Sequence, residues 1–336
     1  MHRVLVDFPY HPDLPDRFEG FELVLAERVG AERAQTILAS KMRRCLAFFR
    51  MARDYDYVVP EWNRYGRTFC VMQALRGRRN VVVMECIDFA NLHRPTLRTR
   101  ILKTAARWVS GPAMRRSVAR IQMMTDWEIG VFAKLHGLPR SLFTAIPWPL
   151  SYSPQRAERL PEAEPRYIFA SGRACCDWPT VFAAARQGGW PLTVVCAGKD
   201  LDAVRELNAS MDGRARVLSD IAREEHDRLM AEAAVIAIGL EERMTSAGQI
   251  RLGEAISAGV PVVATAIRGL DGYLIDDVTG RAVPVADGAA MAAAVADLLA
   301  DPLAAAALAD RARRHARPFT RQAYFAAVAE MVDQLP

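Results

Sequence analysis

The chain has 336 residues, 51% of them hydrophobic and 25% charged, with a net charge of +5 and six cysteines. This composition excludes a disordered or fibrous chain, and the length suits two domains. No apolar run reaches membrane-spanning length, and Cys45, Cys70, Cys86, Cys175, Cys176 and Cys196 form neither a CxxC pair nor a zinc spacing, so reduced thiols are expected.

The charge is unevenly placed. Residues 1–150 carry 24 Lys+Arg against 14 Asp+Glu, and 41–120 alone hold 18 basic and 5 acidic residues. Two readings stand side by side: a solvated Arg-rich surface, or a first domain that faces an anionic partner such as phospholipid or a pyrophosphate-bearing acceptor. Nucleic acid is not expected, because the basic segments lack interleaved aromatics and no nucleic-acid-binding signature is present.

HRVLVDFPY predicts a first parallel strand with no signal-peptide hydrophobic region ahead of it, so a cytoplasmic protein is expected. ELVLAERVG and residues 31–53 predict helices, DYVVPEW (56–62) a short strand, RTFCVMQALRGR a helix and NVVVMECIDF (80–89) a strand. Residues 97–110 predict a basic helix with an apolar stripe of Leu97, Ile101, Ala105 and Trp108. The basic face and apolar stripe of the longer segment 97–120 suit peripheral docking on an anionic membrane surface. RIQMMT (120–125) predicts a strand, and DWEIGVFAKLHG a helix stopped by Gly137.

Five prolines in 146–166 mark a crossing between domains, placing a first domain over 1–150. Strand–helix alternation then restarts with RYIFAS and DWPTVFAAARQ, where Asp177 is the expected N-cap. PLTVVCAG, RVLS, AVIAIG, VPVVAT and RAVPV predict further strands, separated by the helices KDLDAVRELNAS, REEHDRLMAEA and IRLGEAIS. The Ala-rich stretch 287–316 predicts two helices broken at Asp301-Pro302, and TRQAYFAAVAEMVDQL one more. The expected fold is α/β: two Rossmann-like, doubly wound domains whose ligands sit at strand C-termini in the cleft between them.

Neither a GxGxxG turn nor a Walker A loop is present, so a dinucleotide fold is not supported. Candidate chemistry lies elsewhere. In IFASGRACCDW, Gly172 permits a tight turn, and Arg173 either leaves the strand edge to grip phosphate or is a surface arginine in a turn. In TSAGQIRLGEAIS, the loop of Ser246, Gly248 and Gln249 opens a helix whose first N–H groups suit an anion. Glu254 stands two turns in, with no base nearby to pair with it and apolar neighbours on both sides. A carboxylate accepts only, which suits the two vicinal hydroxyls of a ribose. In the first half, Glu85 and Asp88 end one strand and are candidates to orient an acceptor hydroxyl, against a strand-capping reading. Trp62, Asn63 and Tyr65 end another; Trp62 or Tyr65 either stacks on a sugar face or packs inward. His93 and His136 read as loop residues, and adjacent Cys175 and Cys176 as small loop residues.

The ordered stretch AVIAIG…TSAGQIRLGEAISAGVPVVATAIRGLDGYLIDDVTGRAVPV resembles the donor domain of GT-B fold glycosyltransferases, family GT4. SGRACCDWPTVFAAA is similar to the Gly-Arg segment that opens that domain, and TDWEIGVFAKLHGLP…IPWP to its junction region. The resemblance implies a donor domain over 151–317 and a terminal helix, 318–336, that crosses back to the first domain. It implies that Glu254 holds the nucleotide ribose, that the amides of Gly248, Gln249 and Ile250 hold the distal phosphate, and that Arg173 neutralises the diphosphate. The implied reaction is retaining, metal-independent hexosyl transfer from a nucleotide diphosphate sugar, UDP- or GDP-linked, to a glycan, lipid-linked or small-molecule acceptor. The nucleotide sugar is a substrate, and no cofactor is implied.

Two departures stand out. The family's first acid, which contacts the sugar, falls on Ser246, as in a subset carrying Ser-Ala-Gly-Gln. The second basic residue after Gly-Arg falls near Cys176, so either another base substitutes or diphosphate binding is weak; Arg251 and Arg243 are near in sequence but placed by no motif. These departures motivate the alternative of a non-catalytic GT-B-like protein that binds a nucleotide sugar or a partner. An epimerase is disfavoured, since no carboxylate–histidine cluster is seen.

Overall fold

The computed structural model describes residues 2–7, 17–18, 21–25, 37–84, 108–150 and 167–335. The chain divides into two compact units, 1–147 with 324–336, and 148–323.

The first unit is built on a seven-stranded sheet of β1 (His2–Val6), β2 (Arg17–Phe18), β3 (Phe21–Leu25), β4 (Tyr57–Val59), β5 (Val81–Val83), β6 (Val118–Met123) and β7 (Phe143–Ala145), in the order β2-β3-β1-β4-β5-β6-β7. All pairs are parallel except β2 with β3. Helices α1 (Ile37–Met51), α2 (Arg67–Arg76), α3 (108–117) and α4 (Asp126–His136) flank it. The apolar triplets of β4 and β5 are fully buried, as expected of strands covered on both faces. Phe48, Phe69, Met114, Ile121 and Phe132 fill this core.

Two expectations need correction here. Residues 22–25, the start of a stretch read as a helix, belong to β3, which pairs with β1 over five residues. Local helix propensity is a weak prior, and a sheet edge that needs a partner overrides it. Of the helix read over 97–110, residues 108–110 lie in α3, and Trp108 is 80% exposed. His136 is not a loop residue: it ends α4, is buried, and lies against the Phe132 ring at 5.2 Å.

The second unit has six parallel strands: β8 (Ile168–Gly172), β9 (Leu192–Cys196), β10 (Arg216–Ser219), β11 (Val235–Ile238), β12 (Val262–Thr265) and β13 (Arg281–Val283). Their order is β10-β9-β8-β11-β12-β13. Between them run α5 (Trp178–Gly188), α6 (Leu201–Ala209), α7 (Arg223–Glu232) and α8 (Gln249–Ala258), followed by α9 (Gly288–Ala300), α10 (Pro302–Ala316) and α11 (Arg321–Asp333). The Asp177 carboxylate caps α5 by accepting from the Thr180 N–H at 3.2 Å, and Asp301 caps α10 in the same way at 2.9 Å. Gly259 ends α8 in the left-handed region at φ 70°, and Pro261 then admits β12. From Tyr324 onward, α11 belongs with the first unit, where Phe325, Val328 and Val332 are buried.

This strand order reverses direction between β8 and β11. In a doubly wound sheet such a point leaves a crevice beyond the strand C-termini. The loops after Gly172 and after Ile238 open there.

Candidate functional site

Gly172 ends β8 where a side chain has no room: a Cβ would lie 2.3 Å from the Cys176 sulfur. The loop after it pairs with the end of β11, as Asp177 donates to the Gly239 carbonyl at 2.9 Å and Glu241 to the Cys175 carbonyl at 2.8 Å. Arg173 is left exposed at the tip. The Cys176 thiol turns inward, and burial pushes its pKa up to about 12. It is therefore an inert packing group, as the sequence suggested for a small loop residue.

The loop before α8 is held against a second turn. Gln249 donates from its side chain to the Gly269 carbonyl at 2.7 Å, and a Cβ on Gly269 would lie 2.8 Å from the Cα of Ser246. Gly248 adopts φ 89°, and a Cβ there would meet a Leu240 methyl at 2.5 Å. Glycine is thus needed twice over at the N-cap of α8. Ser246 is buried, whereas Ile250 on the first turn is half exposed.

Glu254 is 8% exposed. It is not the unpaired acid expected from sequence, because two guanidinium groups reach it. Arg223, at the start of α7, donates to Oε1 at 2.6 Å, and Arg251 donates to Oε2 at 2.8 Å. Arg223 also donates through Nε to Asp227 at 2.7 Å. Arg251 meets His226 Nε2 at 2.8 Å. A guanidinium only donates, so Nε2 must accept, and the proton then sits on Nδ1, facing Asp227 Oδ1 at 3.1 Å. The hydroxyl of Ser171, on β8, lies 3.2 Å from the same Nε2. Burial holds the His226 pKa below its ordinary value, and the Arg251 charge lowers it further, while Asp227 and Glu254 oppose them. The imidazole is accordingly neutral near pH 7. Burial also lowers the Arg251 pKa, with Arg223 and Arg173 adding like-charge repulsion and Glu254 countering it.

The site at the end of this sheet therefore gathers Arg223 and Arg251 about one buried carboxylate, with Arg173 near enough to repel Arg251. Arg223, His226, Asp227 and Ser171 were missed in the sequence because nothing in the spacing of α7 and β8 relates them to Glu254. Arg243 was a candidate base and instead pairs with Glu241.

In the first unit, Trp62 and Tyr65 are corrected to core residues: both are buried, and Trp62 packs against Gly66. Neither offers a free ring face, while Asn63 remains exposed. The Tyr65 hydroxyl donates to Asp7, which also accepts from Arg44 Nε at 3.0 Å. Asp7 and Glu61 follow β1 and β4, on either side of the strand-order reversal in this sheet. Burial raises the Glu61 pKa, with Arg64 and Arg44 pulling it back. Neither Asp7 nor Arg44 was singled out from sequence. Glu85 and Asp88 lie outside the described residues, as does His93. Among the described residues, no group of three or more His, Cys, Asp or Glu side chains is arranged to hold a metal ion.

Residues 176–301 match the family model "Glycosyl transferases group 1". Compared by sequence, no curated protein matches the chain. Among solved structures, the chain is similar to HepE of Anabaena in complex with UDP, at 18% identity and TM-score 0.68, over 94% of this chain and 86% of that one. It is similar to sucrose-phosphate synthase from Thermosynechococcus elongatus, at 17% identity and TM-score 0.69, over 99% and 88%. It is also similar to WaaG, a glycosyltransferase involved in lipopolysaccharide biosynthesis, at 16% identity and TM-score 0.61, over 98% and 99%. Residues 176–301 are thus a glycosyl transferases group 1 segment, and the chain has the two-domain α/β fold of the GT-B glycosyltransferases.

Proposed function

We propose that this protein transfers a hexosyl group from a nucleotide diphosphate sugar to an acceptor hydroxyl, with retention of configuration and without a metal. The observation that carries this reading is the buried Glu254 carboxylate, which lies in α8 paired with Arg223 and Arg251 where the strand order of the second sheet reverses. A diphosphate leaving group carries its charge into the transition state. Fixed cations and a helix N-terminus stabilise that charge in the way a metal does elsewhere. Glu254 is suited to a ribose diol, and Gly248, Gln249 and Ile250 open α8 with N–H groups that have no intrahelical acceptor. Arg173 completes the diphosphate site. HepE was crystallised with UDP and with UDP-glucose, which supports a UDP-linked donor first and a GDP-linked one second.

The basic first unit supplies the acceptor side, where Asn63 is exposed, and Glu85 or Asp88 orients the acceptor hydroxyl. The acceptor is a glycan, a lipid-linked sugar or a small molecule. We place the protein in the cytoplasm, docked at the inner membrane face through α3. There Trp108 and Val109 are exposed, and Arg115 and Arg116 follow seven residues later on the same helical faces.

A thermal-shift panel of UDP, GDP, TDP and ADP sugars tests the donor site. One nucleotide is expected to raise Tm by several degrees, and Glu254→Ala to abolish the shift. No shift with any of them, or an equal shift in the variant, would overturn the assignment. Ser246, in place of an acid, favours a second reading: a protein that binds the nucleotide sugar without transferring the sugar. Binding with no turnover across a panel of acceptors would support it.

A further inference from the structure

We infer that Arg223 and Arg251 form an exchange clamp, releasing Glu254 to a ribose diol only when a diphosphate takes their guanidinium N–H groups. The site would then accept nucleoside 5′-diphosphate groups and discriminate against nucleosides. This deepens the donor-site reading and rests on it.

Four observations support the clamp. Both oxygens of Glu254 are already engaged, one by each arginine, at 2.6 and 2.8 Å. The carboxylate keeps further lone pairs, but its side chain is only 7% exposed with both guanidinium groups in place, so a diol reaches it by displacing one of them. Each guanidinium has a second partner: Arg223 donates through Nε to Asp227 at 2.7 Å, and the Arg251 Nη1 that reaches Glu254 also reaches His226 Nε2 at 2.8 Å. Asp227 therefore keeps the Arg223 head in place while its other nitrogens exchange partners. Arg251 Nε is buried and makes no hydrogen bond, so this guanidinium retains donor capacity beside Glu254. Lastly, Arg173 and Arg223 both repel Arg251. Arg223 and Arg251 share Glu254, and their mutual repulsion is relieved by an anion, not by a neutral ligand.

The two arms differ in freedom. The Arg223 side chain is 60% exposed and swings at the mouth of the site, whereas Arg251 is 18% exposed and fixed in the first turn of α8. Arg223 is therefore the moving part, and Arg251 is the substitute for the second basic residue missing near Cys176. A nucleoside alone has to displace charge-assisted bonds and gives the arginines nothing in return. A nucleoside diphosphate replaces them with phosphate oxygens.

The test is calorimetric titration of wild type, Arg223→Gln and Arg223→Lys with UDP, GDP, uridine and guanosine. Arg223 is exposed enough for either substitution to fold, and a thermal melt confirms it. The expected outcome for Arg223→Gln is opposite in sign for the two ligand classes. The nucleoside diphosphate weakens about tenfold or more, and the nucleoside tightens, because Glu254 has lost a competitor. Arg223→Lys, which keeps the charge but not the fork, falls between. Nucleoside affinity in Arg223→Gln that is unchanged, weaker or undetectable overturns the exchange while leaving the donor site intact. Absence of heat with UDP and GDP in the wild type overturns the donor reading, and the clamp with it.

Discussion

Glu254 keeps a carboxylate inside the second unit because two guanidinium groups accompany it there. His226 shows how tightly that set is balanced. It must stay neutral, since its Nε2 accepts from Arg251. Its folded pKa lies below the ordinary 6.5, so the unfolded chain binds the proton more strongly. His226 therefore leaves stability intact above about pH 6.5 and lowers it as pH falls through the folded value. Urea unfolding between about pH 5 and 8 should show this loss, and His226→Gln should flatten it. An identical pH dependence in the variant would assign the loss to other groups. The first unit carries a comparable pair, with Asp7 1% exposed and the Arg44 side chain 9% exposed. Asp7→Asn leaves that arginine without its counter-charge and should cost ~3–5 kcal/mol in equilibrium unfolding. Asp7→Asn combined with Arg44→Met should recover much of the loss; a fully additive double variant would refute the coupling.

At the scale of elements, the loop–α8–β12 unit shows why its punctuation reads so well. Gly248 at φ 89° and Gly259 at φ 70° fix both ends of α8 through conformations that other residues rarely adopt. Gly248→Ala should destabilise the protein by ~1–3 kcal/mol and weaken nucleotide binding, since both backbone strain and the Leu240 clash act at the phosphate end. Retained binding at wild-type affinity would show that α8 opens differently. The same local logic explains Asp177, Asp301 and Gly137, each read from sequence and each found at its helix end. It fails for β3. The residues of FELVL are compatible with a helix, and only the unpaired edge of β1 makes them a strand. The strand β7 was missed because FTA is too short to show a period.

Over the whole molecule, two sheets of nearly the same parallel design each reverse their strand order once, and each reversal has charged residues at its mouth. In the second sheet these are Arg173, Arg223, Arg251 and Glu254. In the first they are Asp7, Arg44 and Glu61. Among the described residues, no single helix is long and apolar enough to cross a membrane. The docking proposed for α3 predicts salt-sensitive binding to anionic membranes. Co-sedimentation with anionic vesicles should fall several-fold on Trp108→Ala and again as salt rises. Equal recovery on neutral vesicles would sink the proposal.

The sequence by itself determined the alternation of strands and helices in the second unit, the turns at Gly172, Gly248 and Gly259, and the place of Glu254 inside a helix. These are local matters: a backbone angle, a cap or an apolar period is specified within a few residues. Tertiary structure alone decided who stands beside Glu254. Arg223 lies 31 positions from Glu254 and His226 25 positions from Arg251, both on another helix, and only the packing of α7 beside α8 brings each pair within hydrogen-bond reach. It also decided that Trp62 and Tyr65 turn inward, because whether an aromatic ring at a strand end packs or faces solvent depends on what covers it. Contacts between distant segments leave no spacing in the sequence; they follow from the strand order, which is set by the whole sheet at once.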